Sequence, residues 1–448
     1  MDQARQIERH PFDVSHRLVL SIAVPMTLGF LTTPLLGLVD TGVVGQRGDA
    51  NALAGLAVGA MLFDLLLGSF NFLRASTTAL TSQALGRGDH DGQQAIFWRA
   101  LLLAIVCGLV LALTSPLLLR LGLALMGPEP AVARETSTYF SIRILAAPMA
   151  LANYALLGFV LGRGQGSFGL LLQAIINGVN IILAIYLGLR LNWGVAGVAW
   201  GTLIGETAGM VVGLAIVIKS FLGKRPTPLA QILSRHQLAE LFALNRDILI
   251  RTFVLLAAFT LLTRIGTSFG AVTLAANAVL MNFFLISGYY LDGLANAAEQ
   301  ITGRAIGARF RPAFNRGLKL VAFWSFGLAA IGSAFFLVAG AWLISVLTTA
   351  PGVREAALAY LPWAALTGMS GALAFLMDGV FIGATWSKDM RNRMLLSFAG
   401  YLLALATLVP AFGNHGLWMA MHVFLLLRGI LLAIIVKRRA DQTFMAAQ

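Results

Sequence analysis

The sequence predicts an all-α polytopic membrane protein, with twelve transmembrane helices in two six-helix lobes related by a parallel internal repeat. Three observations carry that expectation. The 448-residue chain is 58% hydrophobic and only 11% charged, with mean hydropathy +0.82, whereas soluble domains carry roughly 25% charged residues. Uncharged stretches long enough to cross a hydrocarbon core of about 30 Å recur along the chain; Leu18 to Val39 is one of 22 residues. Finally, the text repeats at a constant offset of 221 residues. Gly45 and Gly266, Gly86 and Gly307, Tyr139 and Tyr360, Gly158 and Gly379, and Gly162 and Gly383 all fall in register.

The apolar runs place spans near 18–44, 50–83, 93–120, 133–161, 168–189 and 194–218, then 239–265, 271–303, 314–347, 355–384, 392–411 and 415–436. The charged, proline-bearing stretch 223–237, with Lys224, Arg225, Pro226 and Pro228, reads as the linker between an N-terminal lobe (1–222) and a C-terminal lobe (238–448). The first apolar run is too long for a signal-peptide core, so it reads as an uncleaved first span. Cys107 stands alone, which excludes an intramolecular disulfide.

Lys and Arg accumulate in cytoplasmic loops. With both termini inside, 22 of the 32 basic residues fall on the cytoplasmic side, among them Arg5, Arg9, Arg163 and Lys219. Arg47, Arg120, Arg134, Arg143, Arg190, Arg264 and Arg354 fall opposite, and the remaining three lie within spans. The net charge of +13 is thereby explained by topology and attraction to anionic lipid, not by nucleic-acid binding. Six spans per half is an even number, so both halves enter the membrane with the same orientation and the repeat is parallel.

Ionisable groups inside spans are expensive in lipid and are functional candidates by default. Asp40 ends the uncharged first run. A carboxyl away from bulk water pays for its charge in desolvation, and such a group can load a proton on one side of a membrane and release it on the other. The alternative is an aspartate at the outer interface. Pro25 and Pro34 share its span, where each removes a backbone bond and favours a bend. In span eight, Asp292, Asn296 and Glu299 follow spacings of four and three, which puts them on one stripe; Tyr289 continues it. Further polar positions are Asp64, Asn71 and Arg74, Asn177 and Asn180, Thr202 and Glu206, Asp247 and Arg251, Asp378, and His422 and Arg428. Asp247 and Arg251 are four apart and suited to pair with each other; Asp378 could pair with Arg251 or Arg428. Phe284, Tyr289 and Tyr290 are candidates to line a cleft for an amphipathic compound.

The segments Ala23-Val-Pro-Met26, Pro34-Leu-Leu-Gly-Leu-Val-Asp40-Thr-Gly-Val-Val-Gly45, Ala243-Leu-Asn-Arg-Asp247, Asp378-Gly-Val-Phe-Ile-Gly-Ala-Thr385 and Gly413-Asn-His-Gly-Leu-Trp418 resemble the multidrug and toxic compound extrusion (MATE) family, in its branch named after DNA-damage-inducible protein F. The likeness runs through the whole chain in order. It implies a secondary active efflux transporter of the bacterial cytoplasmic membrane that exports amphipathic, often cationic, compounds in exchange for inward H+ or Na+. The match assigns ion coupling to Asp40 with Asn180 and Thr202, and the bend to Pro25. Related members often carry a second aspartate four residues after the fifth-span asparagine; here that position is Ala184, which favours H+ over Na+. No cofactor or metal is expected. Expected partners are small amphipathic or cationic substrates and membrane lipid, with no nucleic acid, and the chain is expected to act as a monomer.

A lipid-linked sugar or lipid flippase of related fold is the alternative, but it would want a dense set of cations inside the cleft. An intramembrane enzyme is disfavoured, because no His-Glu-x-x-His helix, Gly-x-Ser-x-Gly elbow or catalytic aspartate pair is present.

Overall fold

Apolar runs bounded by turn residues become helices, and in lipid this is forced, because every backbone polar group must be satisfied within the segment. The computed structural model describes residues 10–223 and 226–445. Arg5 and Arg9, and the linker residues Lys224 and Arg225, lie outside the described residues. Among those described there is no strand.

The helices are α1 (His16–Gly45), α2 (Ala50–Gly68), α3 (Phe72–Gly86), α4 (His90–Leu113), α5 (Ser115–Met126), α6 (Pro130–Arg143), α7 (Ala147–Gly162), α8 (Gly166–Ile185), α9 (Val195–Phe221), α10 (Leu229–Ile232), α11 (Arg235–Thr267), α12 (Ala271–Gly307), α13 (Arg311–Leu347), α14 (Pro351–Gly383) and α15 (Ser387–Met445). Among the described residues, 11 helical stretches are long and apolar enough to cross a membrane. The last, α15, is broken at Gly413 (φ 57°, ψ −130°) and supplies the eleventh and twelfth spans. The third span is shorter than its apolar run suggests. It ends at Leu113, because Pro116 has no N–H to donate to the carbonyl of Ala112.

Local chemistry sets the starts. The Asp49 carboxylate accepts from the N–H groups of Asn51 and Ala52 (2.9 and 3.2 Å), and Asp89 accepts from Gly92 N–H (2.7 Å). Each occupies donors that the first turn of α2 or α4 leaves open.

The chain packs into two compact units. One holds the described residues up to Thr27, Ser82–Gly88 and everything from Leu241 on; the other holds Leu28–Thr81 and Asp89–Glu240. These boundaries cut through α1, α3 and α11 and do not fall at the 223–237 linker. The reason lies on α12. A Cβ on Gly293 would overlap Thr27, and one on Gly303 would overlap Ser82, so bare glycine faces draw the ends of α1 and α3 into the first unit.

The repeated text has a packing meaning. Gly158-x-x-x-Gly162 on α7 lies against the carbonyls of Arg74 and Thr78 on α3, and Gly379-x-x-x-Gly383 on α14 lies against those of Ala295 and Glu299 on α12. The partner carbonyls are themselves 221 residues apart. Small residues at this spacing let membrane helices approach closely enough for dispersion to hold them, where the hydrophobic effect cannot.

Candidate functional site: a carboxylate-rich cavity in the second unit

Six elements of the second unit enclose a cavity of about 280 Å³. α1 contributes Thr33, α2 Asp64, α6 Arg143, α7 Asn153 and Tyr154, α8 Asn177, and α9 Glu206. Arg143 owes its place to Pro148. Without an N–H at that position, the carbonyl of Ile144 takes its bond from Ala147 instead. The turn Ile144–Ala146 tightens to a 3₁₀ helix, directly beyond Arg143.

The Arg143 guanidinium donates to the Tyr139 hydroxyl and sits over the Phe63 ring, 4.7 Å from its centroid, a cation–π contact. Its Nε has no hydrogen-bond partner. It interacts electrostatically with Asp64, Asp40 and Glu206, yet among the described residues it forms no direct ion pair. Glu206 is held separately, its Oε2 accepting from Asn153 Nδ2 at 2.7 Å. Three carboxyl groups thus share one guanidinium, and fully ionised they would leave an excess of negative charge.

Beside this cavity stands the Asp40 group. Asp40 is buried at 8% exposure, and its Oδ1 has no hydrogen-bond partner. Asn180 donates to Thr202 Oγ1 at 3.0 Å, and its own Oδ1 is also unpartnered. Buried polar atoms in this condition are rare.

The register between α1 and α8 locates these groups. Asn177 Nδ2 donates to Thr32 Oγ1 at 2.5 Å, and a Cβ on Gly188 would overlap Val43; both pairs are 145 residues apart. Asp40 is therefore level with Ile185 and next to Ala184, while Asn180 is level with Leu35. The difference of five residues is about 7.5 Å along the axis.

The first unit carries a balanced cluster instead. Arg428 Nη2 donates to Asp378 Oδ2 at 2.7 Å, and Arg251 Nη2 donates to the same oxygen. Arg428 also interacts electrostatically with Asp292. Two guanidinium groups and two carboxylates leave no excess charge.

The family model MatE matches residues 25–186 and again 248–408. The chain belongs to the MATE family. It is 37% identical over 431 residues to DNA damage-inducible protein F of Escherichia coli (strain K12), covering 95% of this chain and 92% of that one. It is 22% identical to multidrug resistance protein MdtK of Yersinia enterocolitica, covering 95% of each. In fold it is similar to a MOP superfamily transporter from Pyrococcus furiosus (TM-score 0.87, 15% identity, 96% of each chain) and to a MATE structure in the bent conformation (TM-score 0.88, 16% identity, 96% of each chain). MATE proteins are multidrug efflux transporters, not enzymes, and this one is a multi-pass protein of the inner membrane.

Several residues expected from the sequence stand elsewhere than their spacing suggests. Asp247 is held by Arg391 (2.7 Å), Ser387 (3.1 Å) and Arg246 (3.3 Å), not by Arg251. Asp378 pairs with both of its candidate arginines, which makes it a structural hub. On the span-eight stripe, Asn296 and Glu299 are buried while Asp292 is exposed, and Asn296 Nδ2 bonds back to the Asp292 carbonyl at 2.7 Å. Phe284 is buried against Phe259 (5.3 Å between ring centroids) in a core with Leu262, Tyr401 and Phe424. Tyr290 packs beside Gly332 and Gly368 and donates to Ser287 at 3.3 Å, whereas Tyr289 is half-buried. His422 contacts Ser370 Oγ (2.9 Å) and the Trp363 carbonyl (3.0 Å), a satisfied structural histidine. Pro25 and Pro34 leave α1 unbroken.

Arg143 is the residue that sequence reasoning missed. It counts there with the charges on the outer side, and it lies inside the fourth span, Pro130–Gly162. Its place inside the expected span 133–161, four residues after Tyr139, was the available signal.

Proposed function

We propose that this chain is an H+-coupled antiporter that exports amphipathic organic cations by alternating access, with Asp40 as the coupling carboxyl. The observation that carries this reading is the buried, unpartnered Oδ1 of Asp40, next to the level of Ala184 and not of a second acid. A hard cation such as Na+ needs several oxygen ligands, whereas one carboxyl suffices for a proton. The cavity shared by Asp64, Glu206 and Arg143 supports a cationic substrate, because its carboxyl groups outnumber its one guanidinium. The same excess of acid argues against an anionic lipid-linked sugar.

Protonation of Asp40 from outside would neutralise it and lower the affinity of the second unit for a cation. Proton and substrate then bias the two states in opposite directions, which exchange requires. Pro25 is the proposed bend, two residues before α1 passes from one compact unit to the other.

The test is ion dependence in vesicles containing the purified protein, followed with a fluorescent cation. Wild type should accumulate the dye under an imposed pH gradient and ignore a Na+ gradient. Ala184→Asp, which supplies the missing acid one residue from the level of Asp40, should acquire Na+ dependence. Accumulation by wild type under a Na+ gradient alone would overturn the assignment of H+.

A further inference from the structure

We propose that the cavity at the ends of α7, α8 and α9 binds an anionic phospholipid through its headgroup phosphate. The cavity measures about 390 Å³, within the range that holds small ligands. Arg163, Lys219, Gln165 and Ser220 form its polar side, and Phe159 and Phe168 are among its apolar walls. No Asp or Glu lines it.

Arg163 is the centre of the site. It follows the last residue of α7, and its Nη1 donates to Ser220 Oγ at 3.1 Å, tying α7 to α9. Its guanidinium lies over the Phe159 ring, 5.6 Å from the centroid. Burial, with no acid opposite, pushes its pKa below the ordinary guanidinium value. Lys219 stands in the last turn of α9, one residue before the Ser220 that Arg163 contacts.

A cation at a helix C-terminus often serves only to meet the terminal carbonyls. Here the backbone already does that work. Arg163 N–H bonds to the Phe159 carbonyl, Gly164 N–H to that of Leu161, and Gln165 N–H to that of Val160. The guanidinium donors other than the one given to Ser220 are left for a ligand.

Two other cavities show what sets this one apart. The cavity lined by Pro11, Asp13 and Arg316 has its own counter-charge, with Arg316 3.5 Å from Asp13. Among the described residues, the cavity lined by Gln94, Trp98 and Thr227 has no cation. The α7–α9 cavity joins two uncompensated positive charges to an apolar wall that includes the exposed Phe168. A phosphate with acyl chains satisfies both halves, and basic pockets between membrane helices take such headgroups.

The test is native mass spectrometry of the purified full chain, offered phosphatidylglycerol or phosphatidylcholine. Phosphatidylglycerol adducts should exceed phosphatidylcholine adducts by about tenfold. The double variant Arg163→Gln, Lys219→Gln should lose that preference, and the charge-preserving pair Arg163→Lys, Lys219→Arg should keep it. Equal adducts from the two lipids, or an undiminished preference in the neutral variant, would overturn the proposal. So would complete competition by glycerol 3-phosphate at the same concentration, which would mark a site for free anions.

Discussion

Gly88 and Arg309, 221 residues apart, share one left-handed backbone conformation, with φ of 70° and 51°. The same holds for Gly164 and Thr385 (74° and 57°). Two of the three non-glycine residues with positive φ among those described are thus repeat twins of a positive-φ glycine. Duplication preserved the turns after the side chains had diverged, and the non-glycine copies pay about 1 kcal/mol or more in steric cost.

Arg309→Gly should therefore stabilise the protein. Arg309 is exposed, so little packing is lost, and relief of the left-handed conformation outweighs the greater freedom of glycine in the unfolded chain. A gain of about 0.5 kcal/mol or more is expected, read as a raised melting temperature in detergent. Gly88→Ala should move the other way.

Asp378→Ala should damage folding more than coupling. It leaves the buried Arg428 and the half-buried Arg251 without their shared acid, and breaking one side of a buried ion pair costs about 3–5 kcal/mol. A sharply lowered melting temperature is the expected result. Normal stability with lost proton dependence would instead place Asp378 in the coupling path.

Arg143→Gln and Glu206→Gln should shift cation affinity in opposite directions. At the cavity, removing the guanidinium strengthens binding of tetraphenylphosphonium, and removing the carboxylate weakens it, each by about tenfold at pH 8. Direct binding titrations in detergent would show it. Shifts in the same direction would mean that charge does not govern the site.

The spans were legible because apolar runs about as long as a bilayer is thick have few other uses, and the pairing of Asn180 with Thr202 was legible through the family resemblance. Phe284 was not. In lipid a helix is apolar all round, so no periodicity tells a core aromatic from a cleft aromatic. Asp247 finds Arg391, 144 residues away, and such a partner leaves no trace in local spacing. Arg143 was missed because it counts with the outer-side charges although the expected span 133–161 contains it, and its electrostatic partners Asp40, Asp64 and Glu206 are far from it in sequence.

The most direct measurement is proton-driven accumulation of a fluorescent cation by vesicles containing wild type or Asp40→Asn, matched for folded protein by melting temperature. Asp40→Asn keeps the shape of the side chain but cannot exchange a proton. Wild type should concentrate the dye against its gradient, and the variant should only equilibrate it, at any imposed pH difference. Accumulation by Asp40→Asn equal to wild type would contradict the coupling role of Asp40.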